Sequence, residues 1–257
     1  MKQSERREYL IEYLLKENND YQDIAMPQDE EAQRKLLRAL LNVRRAKEIS
    51  SEFLAVQDAY LKQRAVEKGI VDMAQLKVVS EGIYLWRGDI TRLKVDAIVN
   101  AANSQMTGCY YPNHGCIDNC IHTYSGVQLR LACAEIIKKQ GHNEKCGQAK
   151  ITPAFNLPSR FVIHTVGPII YGEVSGKDRK DLADCYRSCL KLAVQNNCQN
   201  IAFCCISTGE YHFPNEEAAK IAIETVREYQ KEKPIEVIFN VFKESDEAIY
   251  RRLLQEA

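Results

Sequence analysis

Within eight residues the chain carries two thiols and an imidazole, Cys109-x4-His114-x-Cys116, with Pro112 and Gly115 placed to let the backbone wrap tightly. Thiolate and imidazole are donors that suit Zn2+, and three protein ligands leave a fourth position for water or substrate. No second pair follows at finger spacing, so the segment is not a zinc finger. His122 or Cys120 could replace one of the three, although on a helix opening near Asp118 they point away from one another. By spacing alone, a metal site and a chance crowding of thiols in a ten-cysteine chain stand about even. A second run, Ile206-Ser-Thr-Gly-Glu-Tyr-His-Phe-Pro214, reads as a strand, a glycine-bearing turn and a helix opening near Asn215. Its backbone N–H groups can cradle a diphosphate, or simply connect a strand to a helix. Asp89, after Gly88, can accept an N–H pair or cap a helix. Asn100 and Asn103 can donate amides to a ligand or shape a turn.

The elements that must hold these groups fall into two parts. The first 75 residues read as helices: Leu10, Ile11, Leu14 and Leu15 make one apolar stripe, and Leu36, Leu37, Leu40 and Leu41 another. A third helix is expected over about Ser50–Lys68, with Gly69 ending it. From Leu76 short apolar β-type runs appear: LKVVS, IYLW, DAIVN, FVIHTV, NIAFCCI and PIEVIFNVF. Amphipathic segments lie between or after them, roughly Cys116–Lys139, Arg179–Asn196, Asn215–Glu232 and Ser245–Gln255. That alternation predicts a three-layer α/β/α domain on a mixed, largely parallel sheet. Ligands of such sheets bind at the strand C-termini, so the loops after DAIVN and IAFCCI are the ones to inspect. The expected division is an N-terminal helical extension over 1–75 and the α/β domain over 76–257.

Three segments, Arg87-Gly88-Asp89-Ile90-Thr91, Val95–Asn103 ending in Asn100-Ala101-Ala102-Asn103, and Ile206–Pro214, together resemble the macrodomain family, which binds ADP-ribose. The resemblance covers about Leu76 to the C-terminus. One departure is informative. MacroD-type members follow NAAN with a glycine run, whereas this chain has MTGCYYPNHGCIDNCIH. That substitution is similar to the zinc-containing subfamily of microbial protein-ADP-ribose hydrolases, and the position directly after NAAN favours metal over chance. The resemblance implies Zn2+ on Cys109, His114 and Cys116. It implies catalytic roles for Asp118, which keeps the aspartate of the helix start, and for Asn103. It implies substrate contacts from Asp89 to the adenine amino group and Ile90 through its backbone. Asn100 and Asn103 would serve the distal ribose, with Ser207, Thr208, Gly209 and Glu210 in the phosphate-binding turn and Tyr211 and Phe213 as walls. Phe242 could stack adenine or sit in the core, and His164 reads as a satisfied core histidine.

The implied activity is hydrolysis of the bond joining mono-ADP-ribose to a protein side chain, by resemblance a carboxylate ester. Some relatives are associated with a sirtuin-type ADP-ribosyltransferase and a lipoyl-carrier protein, which makes a modified lipoyl carrier a partner by resemblance only. The rival reading is a module that binds ADP-ribose or O-acetyl-ADP-ribose without turnover, with structural zinc. Composition narrows the field further. With 35 Lys+Arg against 35 Asp+Glu, the chain lacks the basic footprint of a nucleic-acid or anionic-membrane binder. No apolar stretch approaches a membrane span, and the charged N-terminus is not a signal peptide. A monomeric, cytoplasmic protein with reduced thiols is expected.

Overall fold

Residues 97–101, 161–165 and 236–241 are buried almost along their whole length, a pattern that fits strands covered on both faces. A computed structural model describes residues 1–21 and 23–256 and sets these runs in the middle of a seven-stranded sheet. The strands are β1 (Val71–Asp72), β2 (Val78–Ser80), β3 (Ile83–Arg87), β4 (Leu93–Lys94), β5 (Ala97–Ala101), β6 (Ala149–Pro153), β7 (Phe161–Thr165), β8 (Asn200–Phe203) and β9 (Glu236–Val241). The main sheet runs β2-β3-β9-β8-β5-β7-β6, while β1 and β4 form a separate parallel pair. The five inner strands are mutually parallel, and only β2 and β6, at the edges, run antiparallel to their neighbours. Register places Asn100 beside His164 and Ile98 beside Ala202. The C-terminal ends of β3, β5, β7, β8 and β9 therefore open towards one rim, as expected of a largely parallel α/β domain.

The helices are α1 (Gln3–Glu17), α2 (Glu30–Val43), α3 (Ser51–Lys68), α4 (Ile117–Ser125), α5 (Val127–Gln140), α6 (Gly176–Gln195), α7 (Asn215–Glu232) and α8 (Glu244–Glu256). Their starts follow the sequence: Asp29 caps α2, Ser50 caps α3, and Ser175 forms a capping box with Asp178 at α6. α6, α7 and α8 pack side by side along the sheet, and α4 and α5 pack on β5 and β6 as the second helical layer. One apolar core surrounds the sheet; a smaller one joins α1, α2 and α3 around Leu10, Ile11, Leu37, Leu40 and Phe53 and reaches Val127 of α5. Among the described residues no helix is long and apolar enough to cross a membrane.

Two local expectations change. The segment read as one helix over Cys116–Lys139 is two helices, broken at Gly126, whose φ of +95° is open to glycine and strained for other residues. Gln57 of α3 fills the break, accepting from the Val127 N–H at 3.0 Å and donating to Gln128 at 2.8 Å. Strand β6, over AKITP, lies outside the expected strands; its alternation is weak and it ends in Pro153. Its place at a sheet edge makes proline tolerable there.

Candidate metal and substrate site

Strand β5 delivers Asn100 and Ala101 to the rim, and the chain then runs without regular structure to α4, which opens at Cys116. In that loop the ligand atoms of Cys109, His114 and Cys116 all lie within 4.8 Å of one another. Cys109 Sγ is 3.6 Å from His114 Nδ1, and the opposite ring nitrogen, Nε2, is 3.6 Å from a carboxylate oxygen of Glu210. An imidazole that turns one nitrogen to a ligand cluster and the other to a carboxylate has the arrangement of a metal-binding histidine. Cys116 caps α4, its sulfur accepting from the Asn119 N–H at 3.4 Å. Burial pushes the Cys116 thiol up to about 12, with Cys109 and Asp118 adding to the rise. Two soft sulfurs and one imidazole at this separation fit a zinc ion.

Asp118 stands two residues into the same helix and is 4% exposed. Its two oxygens are taken separately: Asn100 Nδ2 donates to Oδ1 at 2.8 Å and Asn103 Nδ2 to Oδ2 at 3.2 Å. Burial raises this carboxyl to about 6, against the downward pull of the Asn100 bond, the Arg130 charge and the Asn103 bond. Asn103 is itself half-buried, donating also to the Gly108 carbonyl and accepting from the Gln105 N–H. Asn100 lies deeper than the sequence reading placed it. It is fully buried, bonded to Asp118 and 3.1 Å from His164 Nδ1, so it supports Asp118 from beneath and is not presented to a ribose. His164 has its other nitrogen 3.0 Å from Thr152 Oγ1 and is a satisfied core residue, as its strand context suggested. His122, Cys133 and His164 form a second, wholly buried grouping beneath Asp118.

The turn after β8 carries the second group. Ser207 adopts φ +65°, and a Cβ on Gly167 would lie 2.0 Å from its Oγ and 2.9 Å from Ile206 Cγ2, so a larger residue there would have to displace both side chains. Ser207 Oγ is buried and has no hydrogen-bond partner among the described residues. Thr208 bonds back to the Cys205 carbonyl, Gly209 and Glu210 are exposed, and Tyr211 is half-buried. Through Glu210 this turn meets the Cys/His loop, joining two segments about a hundred residues apart in sequence. Phe213 does not wall the site: at 1% exposure it belongs to the core and anchors the turn from below. Phe242 is 76% exposed at the rim, which removes its core reading.

Asp89 stands apart at the end of β3. Thr91 donates to its Oδ1 from both N–H (3.0 Å) and hydroxyl (2.6 Å), and Lys68 donates to Oδ2 at 2.9 Å. Burial pushes its carboxyl up, but the Lys68 charge and the Thr91 bonds outweigh it and leave the group below the usual range. Ile90 is buried as a whole residue, at 2% exposure. Sequence reasoning missed Lys68, whose ammonium lies 3.4 Å over the Tyr124 ring, and Arg38, Asn42 and Arg130, which grip the Cys/His loop. Polar residues such as Asn42 beside the Leu40–Leu41 stripe of α2 were the signal available.

The Macro domain family profile matches residues 99–222. A protein of Treponema medium named protein-ADP-ribose hydrolase is 54% identical over 260 residues, covering 99% of this chain and 100% of that one. One of the same name from Staphylococcus aureus (strain MSSA476) is 51% identical over 250 residues, covering 96% and 94%. The crystal structure of the Trypanosoma brucei macrodomain in complex with ADP-ribose is 29% identical with a TM-score of 0.65, covering 88% of this chain and 96% of that one.

Proposed function

This chain belongs to the macrodomain family, and from that premise we propose that it is a zinc-assisted protein-ADP-ribose hydrolase that frees mono-ADP-ribose from carboxylate side chains. The relatives that match it at half identity along their whole length carry the hydrolase name, which supports the reaction class. The metal and the ester linkage are our reading of the site. The observation that carries it is the junction at α4. Its cap, Cys116, belongs to the three-ligand cluster, and its second residue, Asp118, is a carboxylate held on both oxygens by Asn100 and Asn103.

In this reading ADP-ribose lies along the strand ends. Asp89 accepts from the adenine amino group and the Ile90 backbone meets the ring. The 207–211 turn, whose Ser207 hydroxyl has no hydrogen-bond partner among the described residues, takes the diphosphate. The distal ribose then falls between Asn103 and the Cys/His loop. Cys109, His114 and Cys116 would hold Zn2+, which when bound supplies Lewis acidity to the ribose region or to water. Asn103 orients the substrate, and Asp118 accepts the proton of the attacking water. The water gives its hydroxyl to one product and its proton to the other as the ester opens. Glu210 fixes the His114 ring through Nε2. A modified lipoyl-carrier protein is the substrate we favour, in a reducing cytoplasm that keeps the ten thiols free.

The test is a time course of ADP-ribose release from a mono-ADP-ribosylated acidic protein, with the released product weighed by mass spectrometry. Catalytic release of ADP-ribose is expected. Tight ADP-ribose binding without turnover would instead support a non-catalytic reader.

A further inference from the structure

The loop that carries Cys109, His114 and Cys116 has few hydrogen bonds of its own, the backbone contact from His114 N–H to Tyr111 at 3.3 Å among them. With those bonds alone, such a loop would spread over many conformations, each of which must be excluded before three ligands can converge. Its order comes from the N-terminal helices. Arg38 of α2 places one guanidinium nitrogen 2.6 Å from the His114 carbonyl, 2.9 Å from Asn119 Oδ1 and 3.5 Å from Cys120 Sγ. With its oxygen so held, the Asn119 amide turns its NH2 to the loop, donating to the Tyr111 carbonyl at 3.0 Å and the Cys109 carbonyl at 3.4 Å. One arginine thus fixes the main chain at two of the three ligands, directly at His114 and through Asn119 at Cys109.

A second grip lies one turn further along α2. Asn42, fully buried, accepts from the Asn113 N–H at 2.9 Å and donates to Thr123 of α4 at 2.8 Å. Asn113 has φ +56°, a left-handed conformation that needs outside support. The ring of Tyr110, next to Cys109, has the guanidinium carbons of Arg45 at 4.8 Å and Arg130 at 4.4 Å. Arg130 in turn donates to the carbonyls of Leu41, Asn42 and Arg44, locking the end of α2 in place.

We infer that the N-terminal helical unit is the outer shell of the metal site, with Arg38 as the positioning residue that pre-forms the Cys109–His114–Cys116 loop for its ion. This deepens the zinc reading and rests on it. Arg38 touches neither the ligand atom of the imidazole nor the substrate-binding turn; it acts through the loop backbone. Its removal should therefore lower metal affinity without removing a ligand, and outer-shell losses of that kind cost roughly 10–100-fold.

The experiment measures Zn2+ affinity of the full chain by competition with a chromophoric chelator, for the parent, Arg38→Met, Arg38→Lys and Cys116→Ala. The thermal midpoint of each metal-free protein is taken alongside. Met keeps the aliphatic stem, so the expected result is a folded protein whose zinc affinity is about 10–100-fold weaker. Lys keeps the charge and a single donor nitrogen but lacks the planar guanidinium that sets that nitrogen between the His114 carbonyl and Asn119 Oδ1, so an intermediate loss is expected. Co2+ loaded into the Arg38→Met protein should also show an altered ligand-field spectrum, which a loss of general stability would not produce. Parent-like zinc affinity in folded Arg38→Met overturns the inference; if Met does not fold, parent-like affinity in Arg38→Lys does the same. A parent that takes up no more zinc than Cys116→Ala refutes the zinc reading, and the inference with it.

Discussion

Replacing Asp118 by Asn keeps the shape of the side chain and removes its charge. Asn100 and Asn103 each point an NH2 at one carboxylate oxygen, at 2.8 and 3.2 Å. An amide at position 118 has only one oxygen, so one of these pairs becomes donor against donor inside a site that is 4% exposed. An unsatisfied buried polar group costs about 1–3 kcal/mol. For a protein of this size that is a fall in Tm of roughly 2–10 °C. Loss of a general base lowers turnover by about 10²–10⁴. The two effects separate cleanly, because a protein destabilised by that amount and assayed well below its midpoint remains almost entirely folded. ADP-ribose release under saturating substrate, with thermal melts of the same preparations, checks both numbers. If Asp118→Asn melts as expected yet releases ADP-ribose at close to the parent rate, the proton-acceptor role is refuted and Asp118 is merely structural.

Three further outcomes are expected. Asp89→Ala should weaken ADP-ribose affinity by about ten- to a hundred-fold, the equivalent of a lost charge-assisted bond of about 1.5–3 kcal/mol, while zinc content holds; unchanged calorimetric affinity would remove Asp89 from the site. Cys116→Ala should lose zinc and turnover yet stay folded, since the sheet core carries the fold without the metal loop; cooperative unfolding on metal loss would show the ion to be structural. Acid should destabilise the metal-free chain through His164, which burial lowers to about 3. An unfolded histidine protonates near 6.5, so this contribution is intact above that pH and is lost as pH falls towards 3, reaching about 2 kcal/mol at pH 5. Denaturant midpoints that do not differ between the parent and His164→Gln across that range would contradict it.

The sheet was legible because its central strands are buried on both faces, and runs such as AIVNA and EVIFNV have few other stable uses. The limits of α3 were legible too, since Ser50 and Gly69 mark both ends chemically. Gly126 was not, because a glycine inside an amphipathic run reads the same whether it is tolerated or breaks the helix. At the site, the Cys/His spacing alone left metal and chance about even and its place after NAAN favoured metal; the structure brings the three ligand atoms within 4.8 Å of one another. Burial redistributed the neighbouring roles: Asn100 and Phe213 moved beneath the surface they were expected to line, because strand register and turn packing set depth while residue type does not. Least visible were Arg38, Asn42 and Lys68, whose partners lie 21 to 82 residues away and share no motif with them.

The most direct measurement is ADP-ribose release by the full chain stripped of metal with a chelator, then titrated with Zn2+ while turnover and bound zinc are followed together. The proposed function predicts negligible release from the stripped protein and recovery in proportion to zinc, saturating at one ion per chain. Undiminished hydrolysis by protein shown to be free of zinc would contradict it.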